Sequence, residues 1–122
     1  MKWILLSIIV CATVLADLRA WIPHLSPNAA VLMHDAYSSP GVTLAAFRQF
    51  FGVDNFTFDG SSRSLVVFTR GAQSATGRAT SCMRMLGKTP WFARNLVVKI
   101  AIRRGWNAIP PILGHEGTAF PY

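Results

Sequence analysis

The sequence predicts an α/β fold in which parallel strands alternate with helices and are followed by a C-terminal antiparallel pair and a helical tail. Three observations carry that expectation. The continuous apolar run Ala29-Ala30-Val31-Leu32-Met33 stops abruptly at His34-Asp35, as a buried parallel strand does where its C-terminal end opens into a crevice. Helical periodicity stands on both sides of it, with Val14, Leu18, Trp21 and Leu25 before and Leu44, Phe47 and Phe51 after. Further on, Phe56-Thr57-Phe58 and Ser64 to Thr69 read as strands joined by the turn residues Asp59-Gly60-Ser61-Ser62. So short a connection implies antiparallel neighbours.

The N-terminal segment has two readings. Trp3-Ile4-Leu5-Leu6-Ser7-Ile8-Ile9-Val10 is rich in β-branched residues and has the length of a strand buried on both faces. Lys2, the apolar run to Leu15, and small residues ahead of Asp17 equally match the outline of a secretory signal peptide. The run falls short of the roughly 20 residues of a bilayer span, so no stable membrane span is expected. As a strand, it would leave an exposed sheet edge and favour self-association.

Local signals set the remaining boundaries. Pro23 kinks the end of the first helix, and Ser26-Pro27-Asn28 stops it, Asn28 being suited to a left-handed conformation. Ser39 as N-cap and Pro40 at the first helical position start the second helix, which Gly52 ends. Residues 71 to 81 are small and polar without an apolar period, which reads as a linker. Thr89-Pro90 opens a basic helix with Phe92, Leu96 and Ile100 in line, closed by Gly105; Pro110-Pro111 begins an irregular end. The expected organisation is an α/β unit over residues 1–70, with 1–16 as strand or signal, a linker over 71–88, and a helix and tail over 89–122.

Composition narrows the function. With 122 residues and 52% apolar content, the chain fits one domain but is short for a complete nucleotide-dependent enzyme. Twelve Lys and Arg against five carboxylates give a net charge of +7, which favours anionic partners. The basic residues are dispersed, with little aromatic interleaving, so no nucleic-acid partner is expected. Two cysteines, Cys11 and Cys82, make neither a disulfide framework nor a metal pair. A reducing, cytoplasmic location fits them, and secretion is the alternative if residues 1–16 are a signal.

The stretch from Ala16 to Asp35, followed by Tyr37-Ser38-Ser39-Pro40-Gly41-Val42 and Ser64-Leu65-Val66-Val67-Phe68, resembles the class I S-adenosylmethionine-dependent methyltransferases. The nearest group is similar to small-molecule O-methyltransferases with a His-Asp pair after the fifth strand. Leu113-Gly114-His115 and Pro121-Tyr122 also look familiar from that group. The resemblance implies a partial Rossmann-like sheet with an antiparallel last strand, of which strands four to seven would be retained, Trp3 to Val10 standing in for strand four. It also implies S-adenosylmethionine as cofactor, a divalent cation in metal-dependent members, and methyl transfer to a hydroxyl of a small molecule or sugar. The departures are as informative. None of the nine glycines forms the G-x-G turn that cradles the cofactor. Val10-Cys11-Ala12-Thr13 replaces the Asp-Gly-x-His that the group shows after strand four. The expectation is therefore a truncated methyltransferase-like protein whose cofactor site is incomplete.

Asp35 is the leading candidate residue, because a carboxylate ending a buried apolar strand needs water, a partner or a cation. By resemblance it would bind the cation; the alternative is an Asp that caps the following loop through its own side chain. His34 would act as general base or orient the substrate, or merely be hydrogen-bonded. Tyr37 and Ser38 lie on the following loop, where substrate contacts occur in open α/β folds, although Tyr37 also suits a packed aromatic. His24 and His115 have no neighbours at ligand spacing.

Overall fold

The computed structural model describes residues 2–117 and 119–121, with side chains from Ile4 onward; the Pro-Tyr ending therefore lies partly outside the described residues, at Tyr122. Helix α1 runs from Lys2 to Trp21 and continues into a 3-10 turn at Ile22–His24. The strand reading of Trp3 to Val10 is thereby overturned. No Gly or Pro separates this run from the helix formers Ala12, Leu15, Ala16, Leu18 and Ala20, so the helix propagates back through the β-branched residues at one hydrogen bond per residue. Val14, Leu18 and Leu25 pack toward the core as the periodicity predicts, while Trp21 stays exposed. Asn28 takes the left-handed conformation expected of it, φ 64°.

Strand β1 (Ala30–Met33) follows, then helix α2 (Pro40–Phe50), strands β2 (Phe56–Ser62) and β3 (Leu65–Arg70), and helices α3 (Ala75–Gly87), α4 (Thr89–Arg104) and α5 (Ile109–Ile112). The sheet order is β1-β3-β2, and both neighbours of β3 are antiparallel to it. β1 and β2 therefore run in the same direction, two positions apart. The expected hairpin of β2 and β3 is present, but its turn sits at Arg63-Ser64, with Arg63 at φ 53°. A bulge between Phe58 and Gly60 absorbs the residues that read as a turn, so the strand continues to Ser62.

β1 is an edge strand, not a central one. Met33 is buried and Leu32 is 59% exposed, so its apolar run faces a core on one side and solvent on the other. The opposite edge, β2, is covered: Phe58 N–H donates to Ser81 Oγ of α3 at 2.8 Å, which removes a free edge donor. α3 occupies the segment that reads as a linker. Ser74 caps it by accepting from Gly77 N–H at 3.1 Å. Ser81 and Met85, four apart, form its buried face. Gln73 locks the approach, donating from Nε2 to the carbonyls of Val53 (2.8 Å) and Phe56 (2.6 Å).

Phe50 of α2 and Phe68 of β3 anchor the core, their rings stacked at 4.1 Å between centroids, with Phe56 edge-on to Phe50 and Phe58 edge-on to Phe68. α2 starts at Ser39-Pro40 as predicted, but its buried residues are Gly41, Thr43, Ala45, Ala46 and Phe50; Leu44 and Phe51 of the expected stripe are exposed. α4 likewise buries Asn95, Val98 and Ala101, leaving Ile100 out, and ends as predicted at left-handed Gly105. Arg94 fixes α5 by donating to the carbonyls of Leu113 and Gly114.

Small residues let α1 and α2 approach closely. Cys11, Leu15 and Ala45 form a buried cluster. At Gly41 an added Cβ would lie 2.6 Å from the Ser7 carbonyl oxygen and 2.9 Å from Val10 Cβ. Gly41→Ala is expected to force the helices apart and destabilise the fold by about 1–3 kcal/mol, the range for overpacking. Urea denaturation checks this; an unchanged midpoint would mean that α1 does not hold this position.

Candidate functional site

The C-terminal end of β1 turns sharply because two residues without glycine's freedom, Asp35 (φ 63°) and Tyr37 (φ 59°), adopt left-handed backbone. Such conformations persist where surrounding structure enforces them, and they concentrate at functional sites. The enforcement here is visible. The Asp35 carbonyl accepts from Ser38 N–H at 3.1 Å and from Ser39 N–H at 2.8 Å. Tyr37 N–H donates to Thr43 Oγ1 at 2.8 Å, and Tyr37 OH donates to the Met85 carbonyl at 2.8 Å. The Thr43 hydroxyl in turn donates to the Ser39 carbonyl at 2.7 Å, closing the loop onto the first turn of α2.

His34 and Asp35 are together and reachable by solvent. His34 Nδ1 lies 3.1 Å from Asp35 Oδ1, with the two side chains 71% and 49% exposed. The loop is held by the Asp35 backbone carbonyl and not by its side chain, whose carboxylate lies beside the imidazole. Tyr37 and Ser38 point the other way. The Tyr37 ring is 2% exposed, edge-on to Phe47 and Phe92, in the packed role that was its alternative reading. Ser38 is 3% exposed. A substrate contact by either needs an open surface, which this loop does not give them.

Lys99 is the residue that sequence reasoning missed. It reaches from α4, where it reads as part of a solvated basic face. Its Nζ donates to the Ser38 carbonyl at 2.8 Å and to Ser38 Oγ at 2.7 Å. Ser38 Oγ also donates to the Pro121 carbonyl at 3.4 Å, so the tail joins the same knot. Burial lowers the Lys99 pKa, the Asp35 carboxylate opposes that shift, and Arg103 reinforces it. Asp35 thus has cationic company from the protein itself. A single Lys among several on a basic helix carries no signal of such a role.

Two surface grooves lie elsewhere, along α1 and α2; neither is lined by a residue between 29 and 39. Among the described residues, no three His, Cys, Asp or Glu gather as a metal site. His24 is exposed on the 3-10 turn, and His115 Nε2 sits 2.6 Å from the Ala119 carbonyl.

Burial pushes the Tyr37 hydroxyl from its ordinary 10.0 up to about 12. The folded state then holds a proton that the unfolded chain releases near 10, so the contribution of Tyr37 to stability is constant below that pH and falls as pH rises toward 12. Denaturant midpoints measured across this window should decline, and Tyr37→Phe should flatten the decline while costing about 1 kcal/mol at neutral pH for the lost hydrogen bond. A decline of equal steepness in the variant would assign it to other groups. No protein-family model, curated protein or solved structure matches the chain.

Proposed function

We propose that the chain is the acceptor-side half of a class I S-adenosylmethionine-dependent methyltransferase-like domain. The ancestral reaction would be transfer of a methyl group to a hydroxyl of a small molecule or sugar. The β1–α2–β2 unit carries this reading: two strands of the same direction joined by a helix, with β3 entering antiparallel between them. Strands of like direction require such a crossover, and a reversed last strand is what the resemblance implies. The open edge of β1 is where a larger, partly parallel Rossmann-like sheet would continue. With residues 2–21 helical, the counterparts would be strands five to seven, one fewer than the sequence implied.

The residues present do not fit the cofactor. No G-x-G turn exists in the chain, and the loop after β1 is closed by Ser38, Lys99 and Pro121. A divalent cation is also poorly served, since His34 and Asp35 supply two donors and Lys99 already bears on the carboxylate. No methyl transfer is therefore assigned to the chain alone. In a complete domain, Asp35 against Nδ1 of His34 would hold the ring tautomer that leaves Nε2 free to take a hydroxyl proton.

Isothermal calorimetry with S-adenosylmethionine should give no micromolar binding; such binding would overturn the claim that the cofactor half is lacking. The DNA upstream should encode a glycine-rich strand-turn segment, in frame or out of it. Its absence would count against the methyltransferase origin.

A second reading, an exported small basic binding protein, is favoured by the exposed apolar helix α1 near the N-terminus. Packing of Cys11 and Leu15 against Ala45 opposes it, because removal of residues 1–16 would strip that contact from α2. N-terminal sequencing decides: a mature chain beginning at Asp17 means secretion, and retention of α1 accords with a cytoplasmic protein.

A further inference from the structure

The outer side of the α1–α2 pair is an apolar surface with a basic end. α1 and α2 lie alongside in the same direction, since Gly41 meets Ser7 and Val10, Ala45 meets Cys11 and Leu15, and Arg48 shares a groove with Arg19. Ile4, Ile8 and Leu44 are exposed by 65%, 56% and 50%, and line the grooves along this seam. Toward the C-terminal ends of both helices the groove passes Ala12 and Ala16 and finishes at Arg19 and Arg48. Asp17, the acidic residue of α1, is exposed but does not line it.

α1 is apolar around most of its circumference. The 21 residues Ile4–His24 are long and apolar enough by length and composition to cross a membrane, unlike the shorter run read from the sequence; their most apolar stretch has a mean hydropathy of 1.9 and is only 11% buried. A helix apolar all round belongs in a core or in lipid, and this protein covers one side of it with α2 and, at Val14 and Leu18, with the main core, leaving the outer side open. That hold keeps α1 along the body of the protein, so the geometry is that of a helix lying at a surface, with apolar residues below and cations at its rim.

We infer that this seam docks on an anionic lipid bilayer. Ile4, Ile8 and Leu44 enter the boundary between headgroups and acyl chains, and Arg19 and Arg48 meet lipid phosphates. Charge selects this occupant over a second copy of the chain. Each copy carries +7, and a self-complementary contact on this seam would bring two Arg19–Arg48 ends into one apolar interface. A bilayer of negative headgroups satisfies the apolar and the cationic parts at once. The inference does not depend on the methyltransferase reading.

Flotation of the full chain with phosphatidylcholine vesicles, with and without phosphatidylglycerol, tests it. The protein should float with the mixed vesicles and much less with the neutral ones. Arg19→Gln and Arg48→Gln should each weaken binding to the anionic vesicles about fivefold, the effect of one basic residue at such a surface. Ile4→Ser combined with Ile8→Ser should lose binding to both kinds; these side chains are exposed, and circular dichroism confirms that the variants fold. Three results would overturn the inference: no flotation with anionic vesicles, undiminished flotation of the isoleucine variant, or a dimer by light scattering that the same variant abolishes. Recovery of a native chain that begins at Asp17 would also overturn it, by removing the surface.

Discussion

β3 is the constraint on which the rest of the molecule depends. It is flanked on both sides, by β1 and by β2, so its backbone groups are paired in both directions. Its inward residues, Val66 and Phe68, are essentially inaccessible to solvent. Phe68 joins the layers, stacking on Phe50 of α2 and meeting Phe58 of β2 edge-on. Aromatic pairs of this kind contribute about 0.5–1.5 kcal/mol each beyond the area they bury. At the end of the strand, Arg70 donates to the carbonyls of Ile22 and Leu25, tying the exit of α1 to the sheet. Loss of β3 would therefore separate β1 from β2 and, at the same time, free the exit of α1 from the sheet.

The two edges of the sheet are finished differently, and this asymmetry positions the site. On the β2 side, Ser81 and Gln73 satisfy strand backbone directly, and α3 follows as a lid. Among the described residues no strand pairs with the outer edge of β1, and its Leu32 is exposed. β1 is nevertheless held firmly at its C-terminal end, where Tyr37, Thr43, Ser38 and Lys99 bind the loop to α2, α3 and α4. The buried Tyr37 and the half-buried Lys99 stabilise a loop in strained backbone. The exposed His34–Asp35 pair thereby stands at the start of a loop tied to three helices by hydrogen bonds.

Features with a local cause were legible in the sequence. The left-handed turn at Asn28, the Ser39-Pro40 helix start, the β2–β3 pairing and the Gly105 stop each follow from the backbone preferences of a few residues. Features set by neighbours were not. The apolar run at β1 reads the same in a central strand and in an edge strand whose Leu32 happens to face solvent. The Trp3 to Val10 run is ambiguous between strand and helix, and the unbroken chain of helix formers after it decides. α3 was hidden because its burial rests on Ser81 and Met85 alone among mostly polar or small residues, so no apolar period marks it. In the candidate site, His34 and Asp35 stood out as polar residues ending an apolar run. Lys99 did not, because its role is made by a contact 61 residues away in the chain.

α1 shows how far helix packing can proceed without burial. Its contact with α2 is built from Gly41, Ala45 and Cys11, residues small enough to bring backbones together but covering little area, with Leu15 packed beside them. Close approach of this kind fixes where a helix lies without removing the rest of its surface from water. Ile4, Leu5, Ile8 and Ile9 remain more than half exposed, each forgoing much of the roughly 1.5–3 kcal/mol that full burial of such a side chain provides. That unspent driving force is larger than the stabilisation of any single hydrogen bond in the loop after β1. A large unsatisfied tendency of the folded chain therefore lies along α1, in grooves that neither His34 nor Asp35 lines.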